Sequence, residues 1–142
     1  MSIEEVQKSS IEYYALMDKI LNHFAGDLFQ DEVRLAKIEF FENSGVLDEN
    51  AENYEIRMSQ FFDWYLFTRD LKGYSQPPLD SVHMARELRF SDEEVTLLEN
   101  LKKTRHGLFE FLKIKGSEIF LKDLLKNEKI VIKNSPWTFG FD

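Results

Sequence analysis

Cysteine is absent from this 142-residue chain, and proline and glycine are scarce, with three and six residues. Without a thiol there is no disulfide, no thiolate nucleophile and no cysteine-based zinc knuckle, and the composition suits a reducing compartment. No window approaches the roughly eighteen apolar, uncharged residues that a membrane-crossing helix requires. The opening Met1-Ser2-Ile3-Glu4-Glu5 lacks the basic start and apolar core of a secretory signal. A cytoplasmic protein with no membrane partner is the expectation.

Histidine is nearly missing too. The three that occur, His23, His83 and His106, fall on different elements, and nothing resembles H-E-x-x-H or a Cys/His knuckle, so no metal site is expected. No serine sits in a G-x-S-x-G elbow, and neither a P-loop nor a G-x-G-x-x-G turn is present. No cofactor and no catalytic residue is therefore assigned.

Bulky apolar material is plentiful: 43% of residues are hydrophobic and thirteen are Phe, against 31% charged. A chain of this size buries roughly two-thirds of the surface its unfolded form exposes, enough for one globular domain over residues 1–142. The net charge of -8 is uneven, because residues 1–100 carry 21 acidic and 9 basic side chains and residues 101–142 carry 5 and 9. A basic module docked on an acidic one within the molecule would account for this, as would a basic surface for nucleic acid or an acidic partner.

Helical periodicity runs through the first part of the chain. Ile3, Val6, Tyr13, Tyr14, Met17, Ile20, Leu21 and Phe24 recur at spacings of three and four, as one buried stripe of an amphipathic helix would, and Ala25-Gly26-Asp27 stops it. A second helix is predicted from about Leu28 to Asn43 and a third from Tyr54 to Lys72, with Gly73 as its left-handed cap. Pro78 suits the first turn of a short fourth helix reaching about Leu88. Ser91 and Glu94 form a capping box for a fifth, which ends near Lys103. Beyond His106-Gly107 the pattern becomes extended: strands over 108–115, 118–122 and 129–133, with Leu124-Leu125 either prolonging the second or making a helical turn. The fold class is α+β, a helical layer over 1–105 followed by an antiparallel β meander over 106–142 packed on it.

The third helix holds Phe61-Phe62-Asp63-Trp64-Tyr65-Leu66-Phe67. At 100° per residue its apolar side chains cover more than half the circumference and leave Ser59, Asp63 and Asp70 as a narrow polar side, so this helix belongs between other elements. Arg57 and Arg69 fall within the aromatic arc. Beside Trp64 or Tyr65 their guanidiniums could hold an anionic ligand through cation–π and bidentate contacts, and the plainer reading pairs each with a carboxylate of the first helices.

The meander interleaves Lys113, Lys115, Lys122, Lys126, Lys129 and Lys133 with Phe109, Phe111 and Phe120. Cations beside flat rings on a small sheet suit single-stranded nucleic acid, with Lys113, Lys115 and Lys133 as its contacts, although alternation along each strand predicts rings inward and lysines in water. The tail Trp137-Thr138-Phe139-Gly140-Phe141 alternates as a further strand would, docking on its own chain or across a homodimer.

The aromatic heptapeptide, Pro77-Pro78-Leu79, Gly107-Leu108-Phe109-Glu110 and Lys122-Asp123-Leu124-Leu125 together resemble a group of uncharacterised bacterial proteins in which an aromatic-Trp helix precedes a Pro-Leu turn and a short β region. The resemblance covers about residues 54–142 and implies a bacterial cytoplasmic domain; it brings no activity and no catalytic residue. Some members end in a Cys-rich zinc knuckle, which this chain cannot form. The leading functional reading is a nonenzymatic protein-interaction or regulatory domain, with a protein partner or a second copy as its ligand. Nucleic-acid binding through the meander is one alternative, and a small anionic-ligand or enzyme pocket at Arg57, Arg69 and Trp64 is the other.

Overall fold

Helix α1 runs from Ile3 to Phe24 and buries Leu16, Ile20 and Phe24, residues four apart that a helix stacks on one face. The computed structural model describes residues 3–133. Past Gly26 a single 3-10 turn, Asp27–Phe29, leads into α2 (Gln30–Ser44). Gly45, at φ +97, ends α2 in a conformation that a side chain would strain.

Helix α3 spans Tyr54–Phe67, so it stops before the predicted Lys72. The backbone leaves the helix because tertiary partners claim it. Leu71 is 2% exposed, its N–H bonds to the Gln76 carbonyl at 3.0 Å, and the Lys72 N–H reaches the Glu32 carboxylate at 3.0 Å. Gly73, at φ +85, serves that turn and not the helix cap. Pro78 does open a short α4 (Pro78–Ser81), but a 3-10 turn over Val82–Met84 replaces the rest of the predicted helix. Helix α5 (Asp92–Leu101) starts on the Ser91–Glu94 capping box with both bonds made.

Strands β1 (Phe109–Lys115), β2 (Glu118–Asp123) and β3 (Glu128–Lys133) form an antiparallel sheet in the order β1-β2-β3. The fold is thus α+β, five α-helices followed by a C-terminal meander, and among the described residues β3 lies at the edge of the sheet. Gly116 at φ +60 makes the tight β1–β2 turn. Leu124 and Leu125 neither prolong β2 nor form a helix: the Asp123 carboxylate accepts from the Leu125 and Lys126 N–H groups at 2.9 and 3.0 Å and fixes a turn. The predicted tail strand, Trp137–Phe141, lies outside the described residues.

The chain gathers into two compact units, residues 14–102 and the sheet segment from Lys103 together with α1 up to Tyr13. In residues 14–102 the core is Leu16, Ile20, Phe24, Ala36, Phe61, Tyr65, Leu66, Leu71, Leu79 and Val82 with Leu98 and Leu101 of α5. The rings of α3 meet those of α2: Phe40 lies 5.7 Å from Phe61 and 5.2 Å from Trp64, centroid to centroid. Tyr65 donates its hydroxyl to the last carbonyl of α1, Phe24, at 2.6 Å, so the buried phenol is satisfied; burial, and then the charge of Glu32, push its pKa well up.

Candidate functional site

Helix α1 carries two apolar stripes. Tyr14, Met17 and Leu21 do not share the buried line of Leu16, Ile20 and Phe24; with Asp18 they form one wall of a groove of about 380 Å³. The other wall is the face of α3 that repeats Tyr54, Met58 and Phe62 with Glu55, Ser59 and Asp63, above Leu66. Residues three and four apart stack on each helix, so both walls are continuous. The floor is apolar and the exposed carboxylates on the walls are Asp18, Glu55 and Asp63. Ser59 and Asp63, which the helical wheel assigns to a narrow polar side, therefore border a hollow between two helices. The signal in the sequence was the second stripe of α1, which the three-and-four spacing merges with the first.

Arg57, Arg69 and Trp64 line no part of this groove. Arg57 donates to the carbonyls of Gly45 and Val46, at 2.6 Å each, and of Ser44 at 3.2 Å, and its guanidinium lies 5.2 Å from the Phe41 ring centroid. It caps the negative end of α2, and its aromatic neighbour is on α2, not the Trp64 or Tyr65 of its own helix. Arg69 bonds Glu32 at 2.6 Å and Glu39 at 2.9 Å, the carboxylate pairing with the N-terminal helices foreseen as the plainer reading. Burial by itself would raise the Glu32 carboxyl, but the Arg69 guanidinium and the Lys72 N–H outweigh it and hold its pKa below the ordinary value. Trp64 packs half-buried against Phe40. A second hollow, of about 400 Å³, lies beside Glu32, between Leu28, Phe29, Leu71 and Tyr74.

In the sheet, pairing sorts the side chains onto two faces. Lys113 pairs with Phe120, Lys115 with Glu118, and Glu118 with Lys133, so Lys113, Lys115 and Lys133 share one face, where the Lys113 ammonium sits 5.0 Å from the Phe120 ring centroid. Phe120 thus belongs to the lysine face, against the expectation that every ring turns inward. On the opposite face Ile119 and Asp123 are buried, at 0% and 1% exposure. Asp123 is held below the ordinary carboxylate pKa first by the Lys126 N–H, then by that of Leu125 and by the Arg105 guanidinium, which lies 2.8 Å away. Arg105 also bonds Glu128 at 2.7 Å.

The profile of the family of unknown function DUF7986 matches residues 8–136. The chain belongs to that family. The DUF7986 match takes in both walls of the groove, Arg57, Trp64 and Arg69, and all three strands. No curated protein and no solved structure matches the chain significantly. Among the described residues, no helix is long and apolar enough to cross a membrane, and no three His, Asp or Glu gather as a metal site needs.

Proposed function

We propose that this DUF7986 chain is a nonenzymatic protein-interaction or regulatory domain of the bacterial cytoplasm, and that its partner lays a basic amphipathic helix into the groove between α1 and α3. The observation that carries the reading is the groove's chemistry: a floor of Met17, Leu21, Met58, Phe62 and Leu66 beneath Asp18, Glu55 and Asp63. Helix-in-groove recognition uses apolar anchors at spacings of three and four with charges alongside, and methionine adapts to whichever side chain arrives. The surroundings favour the same sign of partner, since residues 14–102 carry 18 acidic and 9 basic side chains, a field that attracts cations.

The anionic-ligand reading at Arg57, Arg69 and Trp64 is the weaker one, because both guanidiniums already spend donors on the chain's own carbonyls and carboxylates. The groove is tested with a synthetic Leu/Lys helical peptide and its Leu/Glu counterpart, titrated by calorimetry. Binding of the Lys peptide only, lost in Asp18→Lys/Asp63→Lys, supports the reading. Equal binding of both peptides, no binding, or binding indifferent to the two substitutions overturns it. Sedimentation in the absence of peptide reports whether a second copy occupies the face instead.

A further inference from the structure

Phe109, Phe111, Lys113 and Lys115 are all odd-numbered, and in a regular strand they would point to one side. They do not. Pairing passes from Phe111↔Leu121 to Lys113↔Phe120, so Leu112 is an extra residue on β1 and the faces exchange beyond it. A bulge of this kind re-aims side chains at the cost of a local break in the ladder. Its consequence is to lift Lys113 and Lys115 away from the face of Ile119 and place them with Lys122, Lys129 and Lys133.

That face has an order of its own. Across the strands it reads Lys115, Glu118, Lys133; then Lys113, Phe120, Val131; then Glu110, Lys122, Lys129. Rows lie about 6.7 Å apart along the strands, and neighbours in a row about 4.8 Å. A row containing a ring and an aliphatic side chain is therefore bordered on both sides by rows that contain two ammonium groups each. Lys113, Lys115, Lys129 and Lys133 are exposed, and Val131 is 50% exposed. The two glutamates leave the face positive, with Lys133 3.8 Å from Glu118. A polyanion without flat groups would use only the lysines of these rows, Lys113 of the middle one included, and leave Phe120 and Val131 uncovered. A single-stranded nucleic acid would use all three rows in full, with bases over Phe120 and Val131 and phosphates toward the lysines.

We infer that the bulge-assembled lysine face of the sheet is a binding surface for single-stranded nucleic acid, separate from the helical groove. The probe is a fluorescein-labelled oligouridylate followed by anisotropy at rising salt. The expected result is binding at low salt whose log K falls against log salt with a slope of about -2 to -4, since each phosphate neutralised contributes roughly 0.7 for a single strand. Lys113→Glu should weaken binding at least about tenfold, whereas Lys126→Glu, the same charge change in the turn outside the face, should leave it nearly intact. Phe120→Ala should weaken the oligonucleotide about tenfold through lost stacking and leave poly-glutamate and anionic vesicles unaffected. Circular dichroism checks that each variant folds. The inference is overturned by silence at low salt, by equal losses for Lys113→Glu and Lys126→Glu, or by poly-glutamate or vesicles binding as tightly as the oligonucleotide. The groove substitutions Asp18→Lys and Asp63→Lys serve as a reference, because failure of the helix-docking reading leaves the sheet titration unchanged.

Discussion

The helical unit and the sheet use the same residue types for different ends. In residues 14–102 the aromatic rings serve as core: Phe61 and Tyr65 are fully buried, and α2 and α3 meet ring against ring. In the sheet, Phe111 is 37% exposed, and of the strand residues only Ile119 and Asp123 are buried. Charges divide likewise. Arg57 and Arg69 are turned inward to hold α2 against α3, whereas four of the lysines on the sheet face extend into solvent. A cation that is already bonded on several sides secures a fold, and a row of exposed cations remains available to a ligand.

The contrast breaks most visibly at Phe61. Phe61→Ala removes a ring with 0% exposure and should cost about 3–5 kcal/mol through lost burial and an unfilled cavity, read by urea denaturation. Val131→Ala, half-exposed on β3, should cost less than about 1 kcal/mol by the same method. Comparable losses at the two positions would mean that the rings of α3 do not form the principal core.

Next in size is the ion pair between α2 and the segment that follows α3. Glu32→Gln leaves the Arg69 guanidinium, whose side chain is 13% exposed, with one carboxylate partner fewer and should cost roughly 1–3 kcal/mol at neutral pH. Folding lowers the Glu32 pKa, so the stability it contributes is fully present above its unfolded value and is lost as pH falls through the folded one. The gap between wild type and Glu32→Gln should therefore close as pH drops through the acidic carboxylate range. A gap that stays constant or widens with acid would show that the pair contributes through packing alone.

The sequence showed the five helices, the order of the strands and the Ser91 capping box because each is local: a periodicity, a stop residue, a side chain three positions from its partner. It misplaced the end of α3 because the Leu71–Gln76 and Lys72–Glu32 bonds that draw the chain out of the helix are tertiary. The α1–α3 groove depends on how two helices pass each other, which no single period records. Leu112 is the sharpest case. The alternation of apolar and charged residues slips by one at Phe111-Leu112, and the pairing of β1 with β2 makes Leu112 the extra residue that gathers the lysines.

That dependence on one residue yields a test of the comparison itself. Deleting Leu112 removes the bulged position and makes Phe111↔Leu121 and Lys113↔Phe120 consecutive, so Lys113 and Lys115 should stay on the face of Phe120 in a regular ladder. Ile119→Lys, by contrast, drives an ammonium group into a position that is 0% exposed, and the sheet should lose order. The helical unit has its own core, so it should keep its stability to within about 0.5 kcal/mol, as sites without shared partners do. Amide exchange followed by NMR reads both outcomes in one sample: faster exchange confined to 109–133 with unchanged protection at Phe61 and Tyr65 shows that the two units stabilise themselves independently. Equal loss in both would show that they unfold as one.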